Sequence, residues 1–350
     1  MTDWLTRHYI ESNYYVMFDQ KNGVFIRSDI DGVDPFYNIC GPELLDISIT
    51  NYCEWECDFC YRKSNKQGKF MSLDDYSLIM DQAKKVGVLQ VALGGGNPNQ
   101  HPQFTDILRL TREHDIIPSY TTNGLGLTGE VLSATKKYCG AMAVSWYPPF
   151  VVAEEAIQKT ELYRIKTNIH FLLNKNTLPV AIDLLRNHKD LLNKINAIIF
   201  LNYKPIHSPS SLCLTYEDQI DQFFELIKTS KACKIGFDSC MISYLTLMAD
   251  DIALPTVDFC EAGRFSAYIS EDLKFYPCSF MNDISENGVD LKSTSLSDGW
   301  RNGVEFVDIR HKLNSPGLQN YSIPACQACE SYSFCHGGCQ ILNINRCRAS

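Results

Sequence analysis

Cys53, Cys57 and Cys60 follow one another in the spacing Cys-x3-Cys-x2-Cys. Three thiolates so placed can hold three irons of a cubic 4Fe–4S cluster. No fourth cysteine stands close by, so one iron keeps an open position, which is what a catalytic metal needs to bind a substrate. Taken alone, the three cysteines also fit a structural zinc site. A larger group lies toward the C-terminus: Cys326-x2-Cys329-x5-Cys335-x3-Cys339, followed by Cys347 and preceded by Cys260 and Cys278. Paired cysteines serve zinc equally well, so spacing leaves this second metal open. Of the 15 cysteines, only Cys40, Cys139, Cys213, Cys233 and Cys240 fall outside the two groups. In a reducing compartment, cysteines in such numbers are metal ligands or catalytic groups rather than disulfides, and their uneven layout points to two metal-binding regions.

The elements that must position these groups alternate. Leu44–Thr50 reads as a strand, and Ser72 caps a helix with Tyr76, Ile79, Met80 and Ala83 on one face. Leu89–Leu93 is the next strand, ended by Gly94, Gly95 and Gly96. His101–His114 reads as a helix, and strands follow at Ile117–Thr121, Ala141–Trp146, Thr167–Leu172 and Ala197–Asn202. Thr215 opens a helix that carries Ile220, Phe223, Phe224 and Ile227, and Lys234–Asp238 is a possible seventh strand. Repeated strand–helix units imply a parallel sheet, here an α/β fold with a partial (β/α)6 barrel of the TIM type. In such barrels the site lies at the carboxyl ends of the strands, and the cysteines, Gly94–Pro98, Thr121–Gly124 and Ser145 each follow a strand. Before residue 44, Tyr14–Phe18 and Val24–Arg27 flank Asn22-Gly23, a hairpin signal. After Cys240 the periodicity gives way to a cysteine-rich, Gly/Ser/Asn-rich segment, as expected where metal clusters replace part of an apolar core. The expected divisions are 1–43 (hairpin and linker), 44–240 (partial barrel), 241–259 (linker) and 260–350 (small irregular cluster-binding domain).

The 350 residues allow one large domain with an appendage. With 41 acidic against 32 basic residues, net −9, and no basic run with interleaved aromatics, nucleic acid is disfavoured as a partner. The N-terminal residues have no basic n-region or apolar h-region, and no apolar run approaches the roughly 18 residues of a membrane span. A cytoplasmic protein without membrane association is expected.

The cysteine triplet, with Phe59 before its last member and Tyr61 after it, resembles the radical S-adenosylmethionine (SAM) superfamily. There the open iron chelates the amino and carboxylate groups of SAM, and an electron from the cluster releases a 5′-deoxyadenosyl radical. Gly94-Gly95-Gly96-Asn97-Pro98 resembles that family's glycine-rich turn, which contacts the methionyl amino group, with Asn97 where Glu is commoner. Thr121-Thr122-Asn123-Gly124 resembles its Thr-Asn-Gly turn, and Ser145 stands where the carboxylate or ribose is often bound. The resemblance thus implies metal ligation by Cys53, Cys57 and Cys60, and cofactor binding by Gly94, Gly95, Gly96, Asn97, Thr122, Asn123 and Ser145.

The second cysteine group resembles the SPASM extension of peptide- and protein-modifying members, which carries auxiliary 4Fe–4S clusters. By that resemblance Cys326, Cys329, Cys335 and Cys347 ligate one cluster, and Cys260, Cys278 and Cys339 hold another. Some relatives supply a fourth ligand soon after the first cysteine; here Glu261–Ile269 contains none. The glycine usual before the second cysteine is also missing, with Leu273 and Lys274 in that stretch. Ser279 occupies the place of the acid used by sulfatase-maturing relatives, so that activity is disfavoured. His336, inside the motif, reads as a solvated loop histidine.

Cys240 follows the seventh strand, where a thiol can donate hydrogen to a substrate radical or simply fill core. His170, Tyr203 and Lys204 are candidates to line the pocket. A substrate radical must lose an electron, gain a hydrogen atom or couple to another atom, and a nearby cluster suits the first. The family implies cross-linking, oxidation or epimerisation of a ribosomally made peptide. A separate leader-binding protein, or the hairpin's edge, would hold the leader, and a flavodoxin or ferredoxin would supply electrons. Two other readings are oxidation or epimerisation of a small molecule such as an aminoglycoside, and a non-catalytic iron–sulfur or zinc protein.

Overall fold

The computed structural model describes residues 4–20, 23–215, 219–245, 257–314 and 329–342. Cys326 and Cys347 therefore lie outside the described residues. At the N-terminus, β1 (Trp4–Tyr9), β2 (Tyr14–Asp19) and β3 (Phe25–Asp29) form an antiparallel sheet in that order. The hairpin signal corresponds to β2 and β3, which pair Tyr14 with Asp29 and Phe18 with Phe25. Tyr9, Tyr14 and Val16 on its inner face pack with Leu89 and Phe265, so this sheet is joined to the rest of the molecule by an apolar seam.

Seven strand–helix steps follow, the fifth with two helices: β4 (Leu44–Thr50), α1 (Leu73–Val86), β5 (Gln90–Gly95), α2 (Phe104–Glu113), β6 (Ile117–Thr122), α3 (Gly129–Tyr138), β7 (Ala141–Ser145), α4 (Phe150–Leu162), β8 (Thr167–Leu173), α5 (Leu178–Asn187), α6 (Lys189–Leu192), β9 (Ala197–Asn202), α7 (Ile220–Thr229), β10 (Lys234–Phe237) and the short α8 (Ile242–Leu245). The helices form where the sequence supplies caps and one apolar face. The Ser72 hydroxyl accepts from the Asp75 amide at 3.0 Å, Asp74 and Asp75 sit in the first turn, and Lys84 and Lys85 in the last. The face this buries is Tyr76, Ile79, Met80 and Ala83. Two helices start later than their sequences suggest. Pro98–Gln100 forms a separate 3-10 turn ahead of α2, and α7 opens at Ile220, with Ile220, Phe223, Phe224 and Ile227 buried.

Strands β4 to β10 pair in parallel, each with the next. Residues of one parity, among them Val91, Leu93, Tyr120, Met142, Val144, Ile169, Phe171 and Phe200, join the core beneath the helices. The other parity faces the concave side and is small or polar at Asp46, Ser48, Ala92, Gly94, Ser119, Thr121, Ala143, Ser145 and His170, and apolar at Leu172, Ile199 and Leu201. This alternation opens a lumen inside the curved sheet.

The C-terminal segment extends the same sheet. β11 (Ser266–Ile269) lies parallel to β4, pairing Ser266 with Leu44 and Ile269 with Ile47. β12 (Lys274–Tyr276) and β13 (Val289–Asp290) continue antiparallel. The order β10-β9-β8-β7-β6-β5-β4-β11-β12-β13 leaves β10 and β13 at opposite edges, so the barrel is partial. α9 (Leu296–Asn302), α10 (Val304–Asn314) and α11 (Tyr332–Cys335) complete the described residues. Fully buried Trp300 donates its indole N–H to the Asn38 carbonyl at 2.6 Å, tying this segment to the start of the barrel. Leu273, where the resemblance expects glycine, turns between β11 and β12 at φ +64°, a left-handed conformation that side chains rarely adopt.

Candidate active site

The loop from β4 to α1 carries Cys53, Cys57 and Cys60, all half-buried. Its backbone is held at both ends. The amides of Asn51 and Cys53 donate to Lys69 and Asn65 carbonyls at 2.9 and 3.0 Å, and Met71 donates back to Ile49 at 2.9 Å. Within the loop Cys60 donates to the Cys57 carbonyl at 2.9 Å. Arg62, buried, clamps the loop to the C-terminal segment: its guanidinium meets Glu271 at 2.8 Å and Asp283 at 3.1 Å. Ser48 donates to the same Glu271 carboxylate at 2.7 Å. Burial pushes the Cys57 thiol up to about 11, with Cys60, Cys53 and Asp58 adding to the rise. Burial likewise raises Cys53, opposed by the Trp55 amide and by the Asn123 side chain. The three thiols are thus close enough to repel one another as thiolates, a cost that bound iron would remove.

The two turns that face this loop are bolted to it and to each other. A Cβ on Gly96 would stand 1.9 Å from the Tyr52 carbonyl, and Gly95 sits at φ +105° against Thr50 and Ser48. Only glycine lets the backbones approach so closely. A Cβ on Gly94 would meet nothing within 4 Å, so that position looks into open space. Asn97 is buried; its Oδ1 accepts from the Thr122 hydroxyl at 2.9 Å and the Asn123 amide at 3.2 Å, while its Nδ2 donates to Leu125 at 3.2 Å. The side chains of Asn97 and Thr122 therefore join the turns. Asn123 Nδ2 reaches the Cys53 sulfur at 3.6 Å. Ser145 ends β7 and hydrogen-bonds the Tyr147 phenol, which burial and the neighbouring Cys57, Cys53 and Cys60 hold above its ordinary range. The Tyr147 ring packs on Phe59 and Trp55 at 5.2 and 5.9 Å between centroids, walling one side of the cysteine loop.

Below the loop, in the lumen, lie two titratable groups. Burial pushes the Asp46 carboxyl up to about 6, with Glu261 adding to it. Burial also holds His170 down at about 4, and its Nδ1 meets the Thr121 hydroxyl at 3.1 Å. His170 is therefore neutral near pH 7, whereas Asp46 keeps its proton only below about pH 6. Tyr203 packs in the interior, its hydroxyl donating to Pro209 at 3.1 Å. Lys204 is buried, ion-paired with Asp238 and 5.1 Å from the Phe280 ring. A separate cavity of about 540 Å³ opens at the opposite, amino-terminal ends of the strands, under β2 and β3.

At the carboxyl end of β10 the half-buried Cys240 has its thiol hydrogen-bonded to that of Cys339. Cys260 and Cys278, both half-buried, lie within electrostatic reach of Cys240. Cys329 precedes α11 and Cys335 ends it, its amide donating to the Ser331 carbonyl at 2.8 Å. His336 is half-buried: it stacks on Phe259 with centroids 3.8 Å apart, and its Nδ1 lies 3.2 Å from the Leu313 carbonyl. The packing of α10 against this turn takes it out of solvent.

The donor set fits iron–sulfur clusters. Three loop thiols, an amide donor to one sulfur and an open glycine-walled space beside them match a cluster with one free corner. Among the described residues no helix is long and apolar enough to cross a membrane. Sequence reasoning missed Asp46, although an acid inside Leu44–Thr50 on the inward parity was visible. It also missed the Arg62 clamp, whose partners lie some two hundred residues away and leave no local signal.

The Radical SAM superfamily model matches residues 47–145, the stretch holding the cysteine loop and both turns. The mycofactocin maturase MftC of Mycobacterium tuberculosis is 22% identical over 317 residues, 85% of this chain and 78% of that protein. The PqqA peptide cyclase of Ruegeria pomeroyi is 30% identical over 105 residues, 29% and 28% of the two chains. The crystal structure of Streptococcus suis SuiB bound to precursor peptide SuiA superposes with a TM-score of 0.74 at 16% identity, covering 99% of this chain and 98% of that one.

Proposed function

The chain belongs to the radical SAM superfamily through residues 47–145, and we propose that it is a cytoplasmic peptide maturase that cross-links or otherwise oxidises a ribosomally made peptide. Cys53, Cys57 and Cys60 hold the catalytic cluster, and Gly94–Gly96 with Asn123 and Ser145 border the SAM site. When bound, cluster and SAM together supply a 5′-deoxyadenosyl radical that takes hydrogen from the substrate. The protein's own part is positional. Asn97 locks the two turns, Arg62 clamps the loop, Tyr147 and Phe59 wall it from water, and the small inward side chains leave room for a peptide residue. Cys326, Cys329, Cys335 and Cys347 hold one auxiliary cluster, and Cys260, Cys278 and Cys339 belong to another. A flavodoxin or ferredoxin supplies electrons.

The observation that carries this reading is the Asn123 amide on the Cys53 sulfur beside the open space at Gly94. The peptide class is supported by likeness to MftC over 85% of the chain. It is also supported by the outer face of the N-terminal sheet, where Trp4, Tyr15 and Ile26 are 40%, 39% and 38% exposed, a surface on which a leader segment can dock. The test is co-expression with short peptides encoded beside the gene. A change in peptide mass that requires Cys53, Cys57 and Cys60 supports the reading. Turnover of a small molecule, with every such peptide left unmodified, contradicts the peptide assignment.

A further inference from the structure

Four cysteines from separate stretches meet at the carboxyl end of the barrel. Cys240 follows β10 directly, and its carbonyl is pinned by the Asn202 side-chain amide at 2.9 Å. Its thiol touches that of Cys339. Cys278 packs with Ile341, two residues past Cys339, against Tyr268, Tyr276 and Met281. Cys260 is electrostatically coupled to Cys240, Cys278 and Cys339. Lys204, ion-paired with Asp238, lies within electrostatic reach of Cys240 and Cys339, so these thiols face a cation together with its carboxylate partner.

From this arrangement we propose that Cys240 is the fourth ligand, with Cys260, Cys278 and Cys339, of an auxiliary 4Fe–4S cluster that therefore has no open iron. The inference rests on reading the tail as cluster-binding, and it assigns the ligand that Glu261–Ile269 does not supply. It also removes Cys240 from the list of hydrogen donors, because a thiolate bonded to iron has no S–H to give. With no site left for substrate, this cluster's contribution is electron transfer, which suits oxidation or cross-linking better than epimerisation.

The test uses the full chain carrying Cys53→Ala, Cys57→Ala and Cys60→Ala, reconstituted anaerobically so that only the tail's iron is counted. Adding Cys240→Ala exposes one iron. After mild oxidation that protein loses about one iron per chain and gains the electron paramagnetic resonance signal of a 3Fe–4S cluster, which its parent does not. Cys240→Ser, nearly isosteric, gives the same change if the alanine variant fails to fold. Identical iron content and spectra in parent and variant overturn the proposal, as does a Cys240–Cys339 disulfide in the loaded protein. Cys260→Ala combined with Cys278→Ala, which leaves only two of the four ligands, separates the two layers: a loss of about four irons upholds the cluster. An unchanged count sinks the cluster reading and the Cys240 assignment with it.

Discussion

At the scale of single residues, Asn97 decides whether the two cofactor-facing turns stay in register. Asn97→Ala leaves the buried Thr122 hydroxyl and Asn123 amide without their acceptor. The expected cost is about 2–3 kcal/mol in chemical denaturation, with weaker SAM binding. Asp46 makes the opposite prediction. Its folded carboxyl titrates at about 6, above the ordinary 3.8, so the folded protein binds more protons than the unfolded chain between those values. Stability therefore falls as pH rises through that window, and the penalty is complete above it. Asp46→Asn removes the penalty and should stabilise the protein by about 2–3 kcal/mol at pH 7, with no gain below pH 4. Melting curves across pH measure this. An equal effect at every pH would mean the lumen does not desolvate Asp46.

At the scale of elements, Arg62 joins the cysteine loop to the β11–β12 turn. Its side chain and that of Glu271 are 3% and 8% exposed, so Arg62→Ala strands the buried Glu271 carboxylate. The expected loss is about 3–5 kcal/mol, read by denaturation, together with easier oxidative damage to the cluster on the loosened loop. This contact was invisible in the sequence, whereas the loop itself was plain. The difference is physical. Period-two strands, the Ser72 cap and the cysteine spacing are local signals, and Leu44–Thr50 and Ala197–Asn202 stand at the bounds their apolar runs suggest. The start of α7 at Ile220 rather than Thr215 was set beyond the local window. So was the pairing of β11 with β4, which carries the C-terminal segment into the barrel's own sheet. Cys240 illustrates the same limit: its neighbours come from 20 to about 100 residues further along, and only the fold brings them together.

At the scale of the whole molecule, the two sheets offer different surfaces. The carboxyl ends of the strands carry the thiols and turns, while the N-terminal sheet presents an apolar outer face. Ile26→Glu, far from the cysteines, should weaken peptide binding several-fold, as loss of an apolar anchor does, while cofactor cleavage without peptide stays as it was. Fluorescence titration of a labelled peptide measures the first and product analysis the second. The central claim is tested most directly by anaerobic reconstitution of the full chain, with iron counted and 5′-deoxyadenosine measured after reduction in the presence of SAM. The account predicts about twelve irons per chain and deoxyadenosine formation that Cys53→Ala abolishes. Full iron loading with no deoxyadenosine would contradict it.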